Sequence, residues 1–295
     1  MSPQSDQQTD QRPPQGRTIL VTGSTRGMGN RLARELAADG ATLLLHGRDR
    51  TRVGQAVEDL RTAVPGADVR GHAADLADLE QVRDLAGTLT EGGGRLDVLV
   101  NNAAVGGGPD RSRRQVSAQG LELRFAVNYL APLVLTRGLL PLLKGSAPAR
   151  VVNVASAGQE PLDFGDLMTH RDYEGILAYC RSKLALIMAT FDLAAEVAPG
   201  LVTVNAVHPA SLMDTGMVRE ISAPPQSDVE DGVKAVRRLV DDPELAGVTG
   251  RYFHRFADSR AEPQAYDPQA RARLAEMTAR LAPGAAAPAG PLPSG

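Results

Sequence analysis

The chain has 295 residues, 42% of them apolar and 23% charged, enough for one large hydrophobic core. A formal charge of -3 gives no overall attraction to nucleic acid or an anionic membrane, and a single cysteine, Cys180, excludes an internal disulfide and fits a reducing compartment. There is no unbroken run of about 18 apolar residues and no apolar signal core in the opening MSPQSDQQTDQRPPQG, so a soluble, cytoplasmic protein without a membrane segment is expected.

Residues 1–16, rich in Gln, Pro and Asp, and residues 283–295, rich in Ala, Pro and Gly, cannot bury enough apolar surface to offset their ordering entropy; both are expected to be disordered tails. The intervening residues 17–282 read as a single domain. Short apolar runs alternate there with helical patterns: Thr18 to Thr22 then Gly29 to Asp39, Thr42 to His46 then Arg50 to Val64, and Asp68 to His72 then Leu79 to Thr90. The alternation continues with Leu96 to Asn101 then Ser117 to Lys144, Arg150 to Ala155 then Gly175 to Val197, and Val202 to Val207. Asp228 to Val240 and Pro268 to Leu281 read as two further helices, and Arg251 to Phe253 as a final strand. Runs such as Leu43-Leu44-Leu45 and Val98-Leu99-Val100 suit strands covered on both faces. The pattern predicts an α/β fold, a Rossmann-type doubly wound parallel sheet with helices on both faces.

The first strand is followed by Thr22-Gly23-Ser24-Thr25-Arg26-Gly27-Met28-Gly29, which leads straight into a helix. Glycines permit a tight turn and close backbone approach, while free N–H groups and the dipole at a helix start attract phosphate. Gly23, Ser24, Thr25, Arg26, Gly27, Met28 and Gly29 are therefore candidate dinucleotide contacts. The Gly-Lys-Ser/Thr ending of a nucleoside triphosphate loop is absent. The second strand ends in Leu45-His46-Gly47-Arg48-Asp49, where a carboxylate suits a free ribose 2'-hydroxyl and an arginine suits a 2'-phosphate. Arg48, supported by Arg26, favours NADP(H) over NAD(H), whereas a shift of one residue would put Asp49 on the ribose.

Only Lys144, Lys183 and Lys234 of the 32 basic residues are lysines, and one follows a tyrosine in Tyr179-Cys-Arg-Ser-Lys183. Residues four apart share a helix face. Unlike arginine, an ammonium on a flexible stem can relay a proton, and a neighbouring cation lowers the pKa of a phenol. The pair reads as a tuned proton donor and acceptor, or, taken alone, as an amphipathic surface pair. The histidines His46, His72, His170, His208 and His254 lie on separate elements without paired-ligand spacing, and no metal site is expected.

In order along residues 17–256, these features, with Asp75 in AADL, NNAA at 101–104, Asn128 in VNYL and Ser156 in VVNVASAG, resemble the short-chain dehydrogenase/reductase family. The resemblance implies that Tyr179 is the general acid or base, that Lys183 tunes it and holds the nicotinamide ribose, and that Ser156 binds the substrate oxygen. Asn128 would anchor a water leading from Lys183 to solvent. It further implies cofactor contacts at Asp75 (to adenine), Leu76, Asn102, Ala103, Tyr179, Lys183 and Pro209. The resemblance implies a further cofactor contact at Thr215, which lies one residue farther along than the family pattern and so leaves that contact open. Ser156 and Tyr179 are 23 residues apart, longer than is usual and similar to the retinol dehydrogenase-like branch. The extra segment, about 158–175, is expected to form a flap beside the substrate, with His170 in it. A lid is expected at about 210–245, where Leu212, Met213, Met217 and Val218 would cover an apolar pocket. The reaction implied is hydride transfer between nicotinamide and a carbonyl or alcohol. Epimerisation, dehydration or cyclisation around the same tyrosine, or a non-catalytic NADP-binding regulator, remain the alternatives. A small-molecule substrate is the expected partner, with pairing of the long helices 117–144 and 175–197 into a homo-oligomer possible.

Overall fold

The computed structural model describes residues 16–197, 200–220 and 224–283. The two expected tails thus lie outside the described residues, apart from Gly16 and Pro283. Eight strands form one sheet: β1 (Thr18–Val21), β2 (Thr42–Gly47), β3 (Val69–Ala73), β4 (Val98–Asn101), β5 (Ala149–Val154), β6 (Val202–His208), β7 (Tyr252–His254) and β8 (Ala257–Ser259). Their order is β3-β2-β1-β4-β5-β6-β7-β8, parallel throughout except for β8, which pairs antiparallel with β7.

The unbroken apolar runs of the strands are resolved by their period of two. Ile19, Val21, Leu43, Leu45, Val98 and Val100 face one layer, built on α1 (Gly27–Ala38), α2 (Arg50–Ala63) and α8 (Val229–Asp241). Leu20, Leu44, Leu99 and Val151 face the other, built on α3 (Leu79–Glu91), α5 (Ala131–Gly145), α6 (Gly175–Glu196) and α9 (Pro268–Leu281). Both faces are covered, as the sequence implied. The strand order reverses between β1 and β4, and a crevice opens at the carboxyl ends there, where open α/β sheets bind ligands.

Three expectations are corrected. The helix expected from Ser117 begins at α4 (Leu123–Phe125) and continues through a π turn (Ala126–Leu130) into α5, because Ser117 to Leu121 closes a tight turn in which Gly120 takes φ +74°. Although Arg137 breaks its apolar run, Leu123–Gly145 as a whole is long and apolar enough to cross a membrane; 72% of its apolar window is buried within this fold, as in a core helix. The inserted segment, expected as a flap beside the substrate, meets the cleft only at Gly158. Leu162, Leu167 and Thr169 are buried, Gln264 bonds both the N–H and the carbonyl of Leu162, and Arg273 lies over the Phe164 ring. His170 is exposed on it. Among the described residues of the expected lid, only 210–220, including the short α7 (Gly216–Glu220), line the crevice, whereas α8 buries Val233, Val236 and Leu239 against the sheet. Moreover, α6, expected to pair between subunits, is packed by α9 of its own chain. An Arg271–Asp192 ion pair, contact of Phe191 with Tyr266, and buried Leu274 join the two.

Candidate active site

The crevice is a cleft of about 1270 Å³ walled by the glycine turn, the ends of β2, β4, β5 and β6, the first turns of α6 and the lid. At its base, Gly23 (φ +65°) and Gly27 (φ +61°) occupy the left-handed region that only glycine enters freely. A Cβ on Gly29 would lie 2.4 Å from Asn102 Nδ2 and 2.6 Å from the Gly23 carbonyl. The turn is thus held against β4: Asn102 Nδ2 donates to the carbonyls of Thr22 and Gly23, and the Thr22 hydroxyl accepts from the N–H groups of Asn102 and Ala103. The first turn of α1 has neither a side-chain cap nor an acidic residue, so its free N–H groups and positive dipole end face the cleft and suit an anion.

His46 braces the same turn from β2. Its Nδ1 accepts from the Gly23 N–H at 3.3 Å, which leaves Nε2 to donate to the Ala74 carbonyl at 3.0 Å. Burial lowers its pKa to about 4, so the ring is neutral and suited to both bonds. Ser24 departs from the expectation of a cofactor contact. It is fully buried, its hydroxyl exchanging bonds with the His46 backbone, and it does not line the cleft. Near the end of β2, Arg26, Arg48 and Arg52 line the cleft, and no ion pair among the described residues uses Arg26 or Arg48. Asp49 also lines the cleft, and its carboxylate caps α2, accepting from the Arg52 N–H at 2.9 Å. Asp75 makes a local turn by accepting from the Ala77 N–H at 2.9 Å and still faces the cleft beside Leu76.

Ser156, Tyr179 and Lys183 line this same cleft. Lys183 is buried, with Nζ donating to the Val154 carbonyl at 2.7 Å and lying 5.8 Å from the centroid of the Tyr179 ring. Burial brings its pKa down to about 7. The phenol of Tyr179 is shifted opposite to expectation. Burial raises its pKa, while the neighbouring Ser156 hydroxyl acts the other way. The physical reason is that desolvation acts on both groups, and an ammonium that is itself pushed toward neutrality supplies little field to stabilise a phenolate. The Ser156 hydroxyl accepts from the Gly158 N–H at 3.0 Å, and its carbonyl is held by Tyr252 and Gln159. Asn128 sits inside the π turn, fully buried and outside the cleft wall. Its side chain is spent on both backbone groups of Val105 and on the Ser182 hydroxyl, so it shapes the loop after β4 and has no spare donor for a water.

Pro209 and Thr215 line the lid side; the Thr215 methyl would be 3.8 Å from a Cβ on Gly27, which places it over the start of α1. Leu212, Met213, Met217 and Val218, with Val105, Val127 and Ile176, give the cleft an apolar lining. The structure therefore brings together every sequence-predicted site residue except Ser24 and Asn128, which lie directly behind the wall. Sequence reasoning missed Thr22, His46, Gln159 and a buried Glu122–Arg124–Tyr173 cluster. Only Thr22 and His46 carried a usable signal, a polar residue ending an apolar strand. Among the described residues, no group of three or more His, Cys, Asp or Glu side chains is arranged to hold a metal ion.

A parallel sheet reversing at β1 and β4, an uncapped helix start framed by glycines, and a serine, tyrosine and lysine on one wall define a nicotinamide-dependent short-chain dehydrogenase. The short chain dehydrogenase family model matches residues 17–226, and the chain belongs to that family. Human retinol dehydrogenase 13 is 34% identical over 284 residues, 90% of this chain and 84% of the relative, which places the chain in the retinol dehydrogenase-like branch. Among solved structures, an uncharacterized protein of Mycobacterium paratuberculosis superposes with a TM-score of 0.71 at 26% identity, covering 92% of this chain and 95% of the other. The Pseudomonas aeruginosa RhlG/NADP active-site complex superposes with a TM-score of 0.64 at 29% identity, covering 81% of this chain and 94% of the other. The residues present fit a nicotinamide dinucleotide: the glycine cradle has no room for a Cβ at Gly29, and the start of α1 offers unpaired donors to a pyrophosphate.

Proposed function

We propose that the protein is an NADP(H)-dependent oxidoreductase that interconverts a carbonyl and an alcohol, with Tyr179 as the proton donor. The observation that carries this reading is that the glycine turn and Ser156, Tyr179 and Lys183 line one cleft. NADP(H) over NAD(H) is supported by Arg26 and Arg48 lining the cleft with no ion pair among the described residues, while the carboxylate of Asp49, which also lines it, is engaged in capping α2. The relative named as an NADP complex points the same way.

When bound, the dinucleotide supplies or accepts the hydride. The chain's own side chains handle the oxygen and its proton. A phenol is protonated at neutral pH, so Tyr179 has a proton to give to the oxygen of a carbonyl undergoing reduction. Ser156, held by the Gly158 N–H and the clamps on its carbonyl, places a second hydroxyl on the same wall to stabilise charge on that oxygen. Lys183, with a pKa of about 7, gains and loses a proton in the physiological range and serves as the reservoir that restores the phenol. The apolar lining of the cleft favours a substrate with an apolar body.

The test is a panel of aldehydes, ketones and quinones with NADPH, and of the matching alcohols with NADP+, monitored by cofactor absorbance. Turnover of at least one carbonyl with net NADPH consumption is expected. Tight NADPH binding with no net cofactor consumption across the panel would defeat the redox reading.

A further inference from the structure

Arg124 has no exposed surface, and its guanidinium is enclosed between three segments of chain. Nε donates to the Gly106 carbonyl at 2.9 Å and Nη2 to the Gly107 carbonyl at 2.9 Å. Nη1 donates to the Tyr173 hydroxyl at 2.7 Å and lies 3.4 Å from Glu122 Oε1. The Tyr173 hydroxyl in turn donates to Glu122 Oε1 at 2.9 Å, while Glu122 Oε2 accepts from the Phe125 N–H at 2.8 Å and so caps α4. One planar fork thus joins the loop after β4, the last residues of the inserted segment and the start of the helix that carries Asn128. A buried guanidinium is tolerated only when its donors and charge are met, so the three segments are favoured in this arrangement and penalised when they part.

What the cluster holds is part of the cleft wall. Gly106 and Gly107 line the cleft, and with their carbonyls drawn back to Arg124 they leave room for two apolar side chains. A Cβ on Gly106 would lie 2.8 Å from Met217 Cγ of the lid, and one on Gly107 would lie 2.6 Å from Ile176 Cδ1 of α6. The same loop is locked to the first turn of α6: the Gly175 N–H donates to the Arg111 carbonyl at 2.7 Å, and a Cβ on Gly175 would lie 2.1 Å from the Gly107 carbonyl oxygen. Tyr179 stands about one turn farther along that helix.

Resting on the reading of this cleft as a carbonyl and alcohol site, we infer that Arg124, acting with Tyr173 and Glu122, is a positioning residue that sets the distance between the Gly106–Gly107 loop, the lid and the tyrosine helix. It thereby fixes which substrates fit beside Tyr179. It touches neither substrate nor cofactor. Its effect therefore falls on the part of the cleft beside Tyr179 and leaves the glycine turn alone.

The experiment compares Tyr173→Phe, which keeps the ring and removes only the hydroxyl, with Arg124→Gln and Arg124→Lys. Each is measured per bound NADPH so that loss of folded protein is divided out. For Tyr173→Phe, KM for a carbonyl accepted by the wild type should rise roughly tenfold with kcat changed far less, and the NADPH Kd should stay within about twofold. Arg124→Gln should be more severe, and Arg124→Lys should not restore it, because a point ammonium cannot span two carbonyls and a phenol. Hydrogen exchange supplies a readout independent of turnover. Amides of 106–108 and 175–179 should exchange faster in the variants, with those of 23–29 unchanged. The inference is overturned if the variants match the wild type in KM and in exchange, or if activity falls only with the amount of folded protein. If the wild type turns over no carbonyl, the functional reading fails separately, and the exchange pattern still decides whether Arg124 holds this wall.

Discussion

Lys183 is buried, donates only to the Val154 carbonyl, and has no carboxylate among the ion pairs of the described residues. Its pKa falls from 10.5 to about 7 through burial. Below pH 7 both the folded and the unfolded chain carry the proton, and the desolvation cost of the buried ammonium is fully present. Between about 7 and 10.5 the unfolded chain keeps a proton that the folded chain has released, so stability rises with pH by about 1.4 kcal/mol per unit. Over the accessible range to about pH 9.5 this amounts to about 3 kcal/mol. The perturbation is Lys183→Met, which keeps the stem and removes the titration. Urea unfolding of the cofactor-free proteins from about pH 6 to about pH 9.5 should show the variant the more stable at the acid end, the gap closing as pH rises. A gap independent of pH would mean that Lys183 keeps an ordinary pKa, and the argument that burial governs the pair would fail.

His46 is neutral in the fold, with a pKa near 4, so its contribution is present above its ordinary value of 6.5 and is lost as pH falls toward 4. His46→Leu leaves the Gly23 N–H and the Ala74 carbonyl without partners and should weaken NADPH binding about tenfold, as read by titration calorimetry. Arg48→Asp should reduce the preference for NADPH over NADH by about a hundredfold, measured as the ratio of the two Kd values; an unchanged ratio would remove Arg48 from the ribose site. In Gly29→Ala the new methyl would meet Asn102 at 2.4 Å and force its amide off the Thr22 and Gly23 carbonyls. A loss of about 2 kcal/mol in stability is expected, together with weaker cofactor binding.

The sheet and most helices could be read from the sequence because strands buried on both faces announce themselves, as Leu43-Leu44-Leu45 does, and because Tyr179 and Lys183 stand one helical turn apart. What escaped were interactions between distant segments. Nothing local marks Gln264 as the partner of Leu162, or Tyr173 as the partner of Arg124, so the inserted segment read as a flap although it is anchored to the C-terminal helix region. Asn128 and Ser24 were placed in the site by motif, yet their side chains are consumed in holding Val105 and His46. The phenol's shift was misjudged because a sequence shows that a lysine is near but not that desolvation outweighs its field.

Tyr179→Phe tests the central claim most directly, since it removes one oxygen from a wall that otherwise stays intact. The protein should fold and bind NADPH as the wild type does, while kcat for a carbonyl that the wild type reduces falls by about a thousandfold. A Tyr179→Phe protein that binds NADPH and retains turnover within a few-fold of the wild type would contradict the account.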